Sequence, residues 1–587
     1  MNLKDAYILG LSIDGEKMQF FFPYSERNVN LVKTIYSRVF NKGLKCWDFP
    51  INPQIYADIL MKFPQTILDH NLKNRIRSIA TAYDQVNEMK LAGWENTTPN
   101  APMLLKTENL HNNKPYNHQI LAFNVAIQLP HFACLMEQGC GKSLVMVALV
   151  GHWFHLGEVK RVLIFCPSAV IPVWPREFGD YAKYPVNVFA LTESVAERES
   201  LLYSLCHSGL IEQNIVTTVV TNYEVSWRME DALKEFKPDM VICDESQRIK
   251  KGSTEQAKAI YRISANAKHR AICSGTPIEK PVDYFGQYRF LDPNILGYYF
   301  TNFRNRYAHV VGEHDIIVGY KNLDELTKKV HQIAFRVTKK DALPDMPEKV
   351  DQILYFELEE EARKIYDQME AESIAEIAGY ETITANNILA KMVRLSQLTG
   401  GFFNANKLAG TDDDETRPNV IKQISKAKLK LLDETVNDLT EQNHKVVIFT
   451  RFTAEFLAIC ELMSKNKIKF VSMNGSTPAL LKKSNVDQFQ NDKGTMILVA
   501  NIRCAGLGIT LHAAHYAIFY SFGYSLIDYE QAKDRLHRIG QHDLCTYIHL
   551  VAQHTIDVKI VRALQNKREI AKEVVDDWRQ YFEDEVA

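Results

Sequence analysis

The sequence FACLMEQGCGKSLVMVALV, residues 132–150, decides the fold. Its first part, Phe132–Met136, is apolar and predicts a buried strand, and the apolar run Leu144–Val150 predicts a helix. Between them, Gln138–Ser143 is a glycine-rich turn whose backbone N–H groups can converge on phosphate, and the helix N-terminus adds partial positive charge. This pattern predicts an α/β fold with a phosphate-binding turn.

Four residues of this turn have the chemistry that a nucleotide site needs. Gly139 and Gly141 let the backbone approach the phosphates, Lys142 would reach the β- and γ-phosphates, and the Ser143 hydroxyl would ligate Mg²⁺. The strict pattern G-x-x-x-x-G-K-[S/T] fails at its first position, which is Met136. A helix start that contains Gly-Lys-Ser by chance is therefore the alternative.

Short apolar runs, each followed by a polar cluster and a helical stretch, occur in two sets along the chain. Such runs predict buried parallel strands, and ligands bind at the carboxyl ends of such strands. The runs of the first set are Phe132–Met136, Val162–Phe165, Ile215–Val220, Met240–Cys243 and Arg270–Cys273, and those of the second are Val446–Phe449, Lys469–Met473, Thr495–Val499, Ala517–Tyr520 and Tyr547–Val551. We predict two doubly wound parallel-sheet lobes, at residues 101–295 and 426–587.

The remaining segments differ from the lobes. Residues 296–425 are predicted to be helical insertions and linker, with helices in Leu358–Ile377 and Ile388–Leu398 that Gly400-Gly401 ends. Within this segment, Asp412–Glu415 is predicted to be a solvated loop.

The first hundred residues predict a small α+β module. Polar and apolar residues alternate in Tyr7–Ile13, and Met18–Phe22 is apolar. Asp14-Gly15 joins the two segments, which indicates a hairpin. Ser25 or Asn28 then caps a helix whose apolar face continues to Val39.

Asp244 and Glu245 follow the predicted strand Met240–Cys243. Adjacent carboxylates at a buried strand end are costly unless a metal or a proton transfer engages them. Beside a phosphate-binding turn, they predict that Asp244 binds Mg²⁺ and that Glu245 orients and deprotonates the attacking water. A solvated turn is the alternative.

The next strand ends in Ser274–Pro277, which is either a plain turn or an element that couples the nucleotide and DNA sites.

Arg535 and Arg538 lie in the sequence QAKDRLHRIGQ, residues 531–541, near the end of the second predicted lobe. On a helix, residues three apart share a face. Phosphoryl transfer needs positive charge at the γ-phosphate, which arginine supplies without titrating. We predict that these arginines complete the site when the lobes close, and an exposed basic helix is the alternative.

Bulk properties exclude some classes of protein. The net charge of −2 and the pI near 6.8 give no sign of a globally basic nucleic-acid-binding protein. No apolar run is long enough to span a bilayer, and no signal-peptide pattern is present, so we expect no membrane association. Ten cysteines without a C-x-x-C pair predict reduced, packed thiols of a cytosolic protein.

In order along the chain, these segments resemble the motifs of the SNF2 family of superfamily 2 helicase-like ATPases, and HRIGQ alone is highly specific for it. The resemblance covers about residues 110–565, and the segments that carry it are Tyr116–Gln119, Met136–Ser143, Cys166-Pro167 with Trp174, Thr221–Glu224, Asp244–Lys250, Ser274–Glu279, Leu291–Pro293, Val447–Phe452, Cys504–Leu511 and Gln531–Gln541. Two departures stand out, because Ser246-Gln247 replaces the end of the usual DEAH and Ser521–Ser525 replaces the usual segment before the last motif.

The resemblance implies RecA-like lobes, ATP and Mg²⁺ as cofactors, and double-stranded or branched DNA as the partner. We expect the protein to be a monomer. Gln119 would read the adenine edge, Gly508 would lie near the nucleotide across the cleft, and Arg535 and Arg538 would be arginine fingers. The residues implied to contact DNA phosphates are Thr221, Asn222, Thr450, Arg451 and Gly475.

Residues 1–100, with Gly43–Phe49, also resemble the HARP-type domain that precedes the motor in SMARCAL-type annealing helicases. The absence of a bromodomain, chromodomain or long basic tail favours the cytoplasm of a bacterial or phage-infected cell, or the nucleus if the source is eukaryotic. The expected function is an ATP-dependent double-stranded DNA translocase that remodels or reanneals branched DNA. The alternatives are a motor that displaces DNA-bound protein and an inactive DNA-binding scaffold.

Overall fold

The computed structural model describes residues 6–207, 214–312, 315–379, 385–404, 421–507, 509–538, 540–572 and 575. The chain divides into two units. The first extends to Ala342 and takes in the residues from Ile570 onward, and the second is Leu343–Glu569.

The first unit begins with the N-terminal module, a mixed sheet with the strand order β3-β4-β2-β1-β5. Its elements are β1 Ile8–Leu11, β2 Met18–Phe21, α1 Glu26–Val32, β3 Val39–Asn41, β4 Cys46–Phe49, α2 Pro53–Lys62, β5 Ile67–Leu68 and α3 His70–Ala92. The predicted hairpin is confirmed, since β1 and β2 are antiparallel. The Ser25 side chain caps α1, but α1 ends at Val32 rather than near Val39, because Ser37 adopts a φ of 59° and β3 begins two residues later.

The rest of the first unit is an α/β lobe. Its elements are α4 Asn117–Ala126, β6 His131–Met136, α5 Lys142–His155, β7 Arg161–Cys166, α6 Val173–Tyr181, β8 Val186–Ala190, α7 Val195–His207, β9 Val216–Asn222, α8 Glu230–Glu235, β10 Met240–Asp244, α9 Glu255–Ile263, β11 His269–Cys273, α10 Tyr284–Leu291, α11 Pro293–Leu296, α12 Phe300–Tyr307, β12 Ala308–Val311, β13 Ile316–Tyr320, α13 Leu323–His331, β14 Ala334–Val337 and α14 Lys339–Ala342.

Among the described residues, the first sheet has seven strands, in the order β14-β6-β11-β10-β7-β9-β8, and every pair in it is parallel. Its central strands are apolar and buried on both faces, as parallel strands between helices must be. The carboxyl ends of β6, β10 and β11 therefore lie side by side, which brings the phosphate-binding turn next to the loops after Asp244 and Cys273.

The second unit is a second α/β lobe. Its elements are β15 Lys349–Phe356, α15 Glu360–Gly379, α16 Ala385–Thr399, β16 Phe402–Asn404, β17 Ile421–Gln423, α17 Ala427–Glu441, β18 Val446–Thr450, α18 Thr453–Lys465, β19 Phe470–Met473, α19 Ala479–Asn491, β20 Ile497–Asn501, β21 Tyr516–Phe519, α20 Leu526–Lys533, β22 Cys545–Ala552 and α21 Ile556–Ala571. The described part of the second sheet has six parallel strands, in the order β15-β22-β21-β18-β20-β19.

Two strands lie inside the segment that was predicted to be helical insertions and linker, residues 296–425. β14 pairs with β6 in the first sheet, and β15 pairs with β22 in the second. The expected boundaries at 295 and 425 therefore differ from the ends of the two sheets. Arg336 interrupts the apolar run of β14, and β15 is an edge strand with mostly exposed side chains, so neither has the pattern of a buried strand.

The helical part of that segment agrees with its periodicity. The predicted helices correspond to α15 and α16, and Gly401, with a φ of 88°, follows the end of α16. The predicted solvated loop Asp412–Glu415 lies outside the described residues. Within the part of the chain that the structure describes, no helix is both long and apolar enough to cross a lipid bilayer.

Candidate nucleotide site

The phosphate-binding turn has the backbone that its glycines predict. Gly139 and Gly141 have φ values of 89° and 86°, in the left-handed region that favours glycine, and Gly141 is the N-cap of α5. The free N–H groups of the first turn of α5 therefore point towards the end of β6. Lys142 and Ser143 lie in that turn, and Lys142 Nζ donates to the carbonyl oxygens of Met136 (3.0 Å) and Glu137 (3.3 Å).

Gln119 lies against the same turn. Its Oε1 accepts from Tyr116 N at 3.0 Å, and its Nε2 donates to Cys140 O at 3.1 Å. His118 Nε2 lies 3.0 Å from the same oxygen. Gln119 is thus fixed beside Gly141, where the resemblance places an adenine-reading residue.

We expect Gly141→Ala to impair nucleotide binding. A Cβ at this position would displace Gln119 Nε2, and the left-handed backbone is itself unfavourable for alanine. Gly157→Ala is the matched control, because Gly157 has a φ of 74° but a Cβ added there would meet no atom within 4 Å. Binding of a fluorescent ADP analogue should weaken about tenfold or more in Gly141→Ala, whereas Gly157→Ala should lower only the melting temperature. Equal nucleotide affinities in the two variants would contradict this.

The acidic pair closes the other side of the site. Asp244 ends β10, and Glu245 adopts a φ of 53°, which turns the chain sharply after the strand. The Glu245 backbone N–H donates to Asp244 Oδ1 at 3.0 Å, and the Tyr223 hydroxyl donates to Asp244 O at 2.7 Å. Burial and the neighbouring Glu245 carboxylate raise the pKa of Asp244 to about 7, while the Lys142 ammonium lowers it.

These residues fit a magnesium nucleotide. A buried carboxyl that is costly to ionise becomes favourable when a divalent cation lies beside it. Ser143 and Asp244 would hold the metal, and Lys142 and the glycine turn would hold the phosphates. The bound metal would neutralise charge on the phosphates.

We expect Asp244→Asn to stabilise the protein without metal or nucleotide, and more at pH 8 than at pH 5. Because the pKa of folded Asp244 is raised, the folded protein binds the extra proton between about pH 4 and 7, so this group destabilises it increasingly as pH rises through that window. The gain in the free energy of unfolding should therefore be larger at pH 8 than at pH 5. Denaturant unfolding in EDTA measures it, and a gain independent of pH would contradict it.

Glu245 is positioned by two glutamine side chains. Gln247 Nε2 donates to Glu245 Oε2 at 2.7 Å, and Gln138 Nε2 lies 3.4 Å from Glu245 Oε1. Gln247 Oε1 in turn accepts from Ser274 Oγ at 2.8 Å. The departure from DEAH thus places an amide, instead of an imidazole, between the acidic pair and the loop after β11.

Ser246, the other departure, turns away from the acidic pair. Its hydroxyl donates to Gln287 Oε1 at 2.6 Å, and Gln287 Nε2 donates to Pro277 O at 2.8 Å. The two replaced residues therefore both connect to the Ser274–Pro277 loop. The sequence shows the replacements but did not predict this connection. The one signal for it is that the Ser274–Pro277 loop follows the strand after the acidic pair.

Arg535 and Arg538 lie in the second unit, and the prediction that they share a helix face is wrong. The helix α20 ends at Lys533, and the arginines follow in turns and bends. Arg535 is 5% exposed and its carbonyl accepts from Leu511 N at 2.8 Å. Arg538 Nη1 donates to Thr510 Oγ1 at 3.0 Å, so both arginines are tied to the segment after the predicted Gly508, which lies outside the described residues.

The structure thus gathers Gln119, Gly139, Gly141, Lys142, Ser143, Asp244 and Glu245 at one sheet edge of the first unit. The two arginines belong to the other unit.

The predicted DNA contacts differ in accessibility. In the first unit, Thr221 is fully buried and Asn222 is 7% exposed, and Arg198 Nη1 donates to Asn222 Oδ1 at 2.7 Å. In the second unit, Thr450 is fully buried, Arg451 is partly exposed, and Gly475 is exposed in a turn. The side chains of Thr221 and Thr450 are therefore inaccessible to solvent, whereas that of Arg451 is partly accessible.

Comparison with known families identifies the chain. The SNF2-related domain matches residues 116–400, and the helicase conserved C-terminal domain matches residues 427–540. The chain belongs to the SNF2 family. The first match covers the α/β lobe of the first unit and extends into the second unit, and the second match covers the part of the second unit that includes the two arginines. This SNF2 protein has the two parallel-sheet lobes that its sequence predicted.

Several curated proteins are similar to this SNF2 protein. An uncharacterized ATP-dependent helicase, MG018, of Mycoplasma genitalium is 24% identical over 81% of this chain and 44% of its own length. The Caenorhabditis elegans homologue of SWI/SNF-related matrix-associated actin-dependent regulator of chromatin subfamily A-like protein 1 is 25% identical over 97% of this chain and 77% of its own. The DNA annealing helicase and endonuclease ZRANB3 of Bos taurus is 25% identical over 74% and 38%.

Among solved structures, the SWI2/SNF2 ATPase core of Sulfolobus solfataricus in complex with dsDNA is 22% identical, with a TM-score of 0.37, over 82% of this chain and 96% of that chain. This SNF2 protein spans less than half the length of the Mycoplasma and bovine relatives, and about three quarters of the nematode protein.

Proposed function

We propose that this SNF2 protein is a DNA-dependent ATPase that translocates on double-stranded DNA and remodels or reanneals branched DNA. The observation that carries the proposal is the side-by-side placement of Lys142, Asp244 and Glu245 at the carboxyl edge of the first sheet. The relatives that are named as a DNA annealing helicase and a DNA repair and recombination protein support the choice of DNA as the substrate.

In the proposed reaction, each group of the site has one task. Lys142 and the backbone of the glycine turn bind the phosphates, and Gln119 contacts the adenine. Glu245 orients a water molecule in line with the γ-phosphate and accepts its proton. Arg535 and Arg538 supply positive charge to the transition state when the two lobes close on the nucleotide. Closure and reopening would then alternate the grip of the lobes on DNA.

The proposed contacts with DNA are mainly to phosphates, among them those of Arg451. Phosphate contacts position a protein without reading sequence, so we propose low sequence specificity and binding that weakens steeply with salt.

A steady-state ATPase assay with and without duplex tests the ATPase proposal. The parent should hydrolyse ATP and be stimulated by duplex, and Lys142→Ala should do neither. Lys258→Ala is a suitable control, because Lys258 is an exposed lysine of α9. Within the described residues, its one ion pair is with Glu255 at 2.8 Å. Equal rates in the parent and Lys142→Ala would support the inactive-scaffold alternative instead.

A substrate panel tests the choice of branched DNA over a motor that displaces bound protein. We propose that the N-terminal module selects the DNA structure, because its β3–β4 turn presents exposed Lys42 and Lys45. The double variant Lys42→Glu/Lys45→Glu should lose a preference for forked over plain duplex DNA while keeping duplex-stimulated hydrolysis. An unchanged preference would contradict this role, and displacement of a duplex-bound protein without fork activity would favour the other motor.

Truncation of residues 1–100 is a poorer test, because the module packs on the lobe. The Lys90 ammonium is buried and donates to the carbonyl oxygens of His331 and Ala334. The Tyr36 hydroxyl donates to Leu296 O at 2.8 Å. Removal of the N-terminal module would therefore expose part of the core of the α/β lobe.

A further inference from the structure

Arg336 is a buried arginine for which the proposed mechanism so far has no use. It lies on β14, the edge strand of the first sheet, opposite Leu135 of β6, and is 7% exposed. β14 is also close to the point where the chain leaves the first unit after Ala342. A charged group at such a buried position is costly unless it is fully engaged.

The Arg336 guanidinium joins three segments at the nucleotide site. Its Nη1 donates to Leu135 O at 2.8 Å and to Gly275 O at 3.0 Å, and its Nη2 forms an ion pair with Glu137 Oε1 at 3.3 Å. We call these four residues the Arg336 clamp. The clamp connects Leu135 near the end of β6, Glu137 at the start of the loop that leads to the glycine turn, and Gly275 in the loop after β11.

Glu137 is the member of the clamp that reaches the phosphate side. Its Oε2 accepts from Lys339 N at 2.9 Å, and its own carbonyl accepts from Lys142 Nζ at 3.3 Å. The next residue, Gln138, is the one whose amide lies beside Glu245. A shift of Glu137 would therefore displace Gln138 and with it a contact of the proposed base.

Gly275 is the member that reaches the coupling loop. A Cβ on Gly275 would lie 2.9 Å from Gln138 N, so the two loops are in close contact at this point. Ser274, the residue before it, hydrogen-bonds to Gln247. The planar fork of arginine can hold two carbonyls and a carboxylate at once, which a lysine ammonium on a flexible stem cannot do with the same geometry.

We propose that Arg336 is a positioning residue for ATP hydrolysis, which holds the loop after β11 against the phosphate-binding turn so that DNA binding stimulates turnover. The proposal rests on the proposed ATPase function. Arg336 acts through Glu137 and Gly275, which its guanidinium contacts. Loss of the clamp leaves the nucleotide able to bind but lets the two loops separate, so turnover falls more than affinity does.

Arg336→Met tests the proposal, with Arg270→Met as the matched control. Arg270 lies on β11, on the other side of β6, and its guanidinium donates to Phe290 O at 3.0 Å and contacts His131 Nε2 at 3.0 Å, at the opposite end of β6. Both variants remove a largely buried guanidinium beside the same strand and should lower the melting temperature. Only Arg336 touches the two loops.

The measured quantities are the duplex-stimulated kcat, the basal kcat and the affinity for a fluorescent ADP analogue, all below the melting temperature of each variant. Arg336→Met should lower the duplex-stimulated kcat between about 10-fold and 100-fold and change ADP affinity less than about threefold. Arg336→Lys should recover part of the loss, and Arg270→Met should stay within about twofold of the parent.

A duplex-stimulated kcat in Arg336→Met equal to that of Arg270→Met would overturn the proposal, as would parallel losses of kcat and ADP affinity. If Arg336→Met does not fold, Glu137→Gln replaces it, because the amide keeps the size of the side chain but loses the ion pair. Glu137→Gln should lower the stimulated kcat by about fivefold, and parental values would overturn the proposal. A parent without any ATPase activity would instead refute the proposed function.

Discussion

Glu245→Gln should lower the turnover of ATP by about three orders of magnitude while leaving nucleotide binding unchanged. Glutamine keeps the size of the side chain, and its carbonyl oxygen can still accept from Gln247 Nε2, but it cannot accept a proton from water. The loss should therefore appear in kcat and not in the affinity for ADP. Multiple-turnover hydrolysis with saturating duplex, together with titration of a fluorescent ADP analogue, measures both quantities.

Glu255→Gln is the control for this prediction, since Glu255 is an exposed carboxylate in the first turn of α9. It should behave as the parent. The role of Glu245 would be wrong if Glu245→Gln kept a tenth or more of the parental turnover, or if its loss were entirely one of binding. A second carboxylate would then have to act as the base.

Arg535→Ala and Arg538→Ala should each lower kcat by about three orders of magnitude. Neither arginine is in the unit that holds the phosphate-binding turn, so neither substitution should alter that turn. Positive charge that acts only on the transition state contributes to kcat, and ADP affinity should change less than about fivefold. The same two assays, made on both variants and on the parent, measure this split.

Arg562→Ala is the matched control in the same unit, because Arg562 lies exposed on α21. It should leave turnover unchanged. Arg538 also holds Thr510, so Arg538→Lys separates charge from local structure: partial activity in Arg538→Lys with full stability would support a charge effect. Parental turnover in both alanine variants would show that hydrolysis is completed within the first unit alone.

The sequence predicted those parts of the fold whose signal is local. Short apolar runs that end in polar clusters, such as those of β7 and β10, are typical of buried parallel strands. The glycines of the turn and the carboxylates at the end of β10 predict a phosphate site and a metal site by their chemistry. Their mutual proximity follows from the parallel order of the strands that carry them.

The features that the sequence did not predict depend on distant partners. β14 contains Arg336, and that charge is compatible with a buried strand only because Glu137 and two carbonyls surround it. β15 is polar because it is an edge strand. The turn that carries Arg535 and Arg538 has the spacing of a helix, but contacts with the chain around Leu511 hold it in another shape.

The proposed function requires one nucleotide to contact both the phosphate-binding turn of the first unit and the arginines of the second. The most direct measurement is a structure of the protein with duplex DNA and ADP–beryllium fluoride. We expect Lys142 and at least one guanidinium of Arg535 and Arg538 to lie within hydrogen-bond distance of the same fluoride group. A closed complex in which both arginines contact only protein or DNA would contradict it.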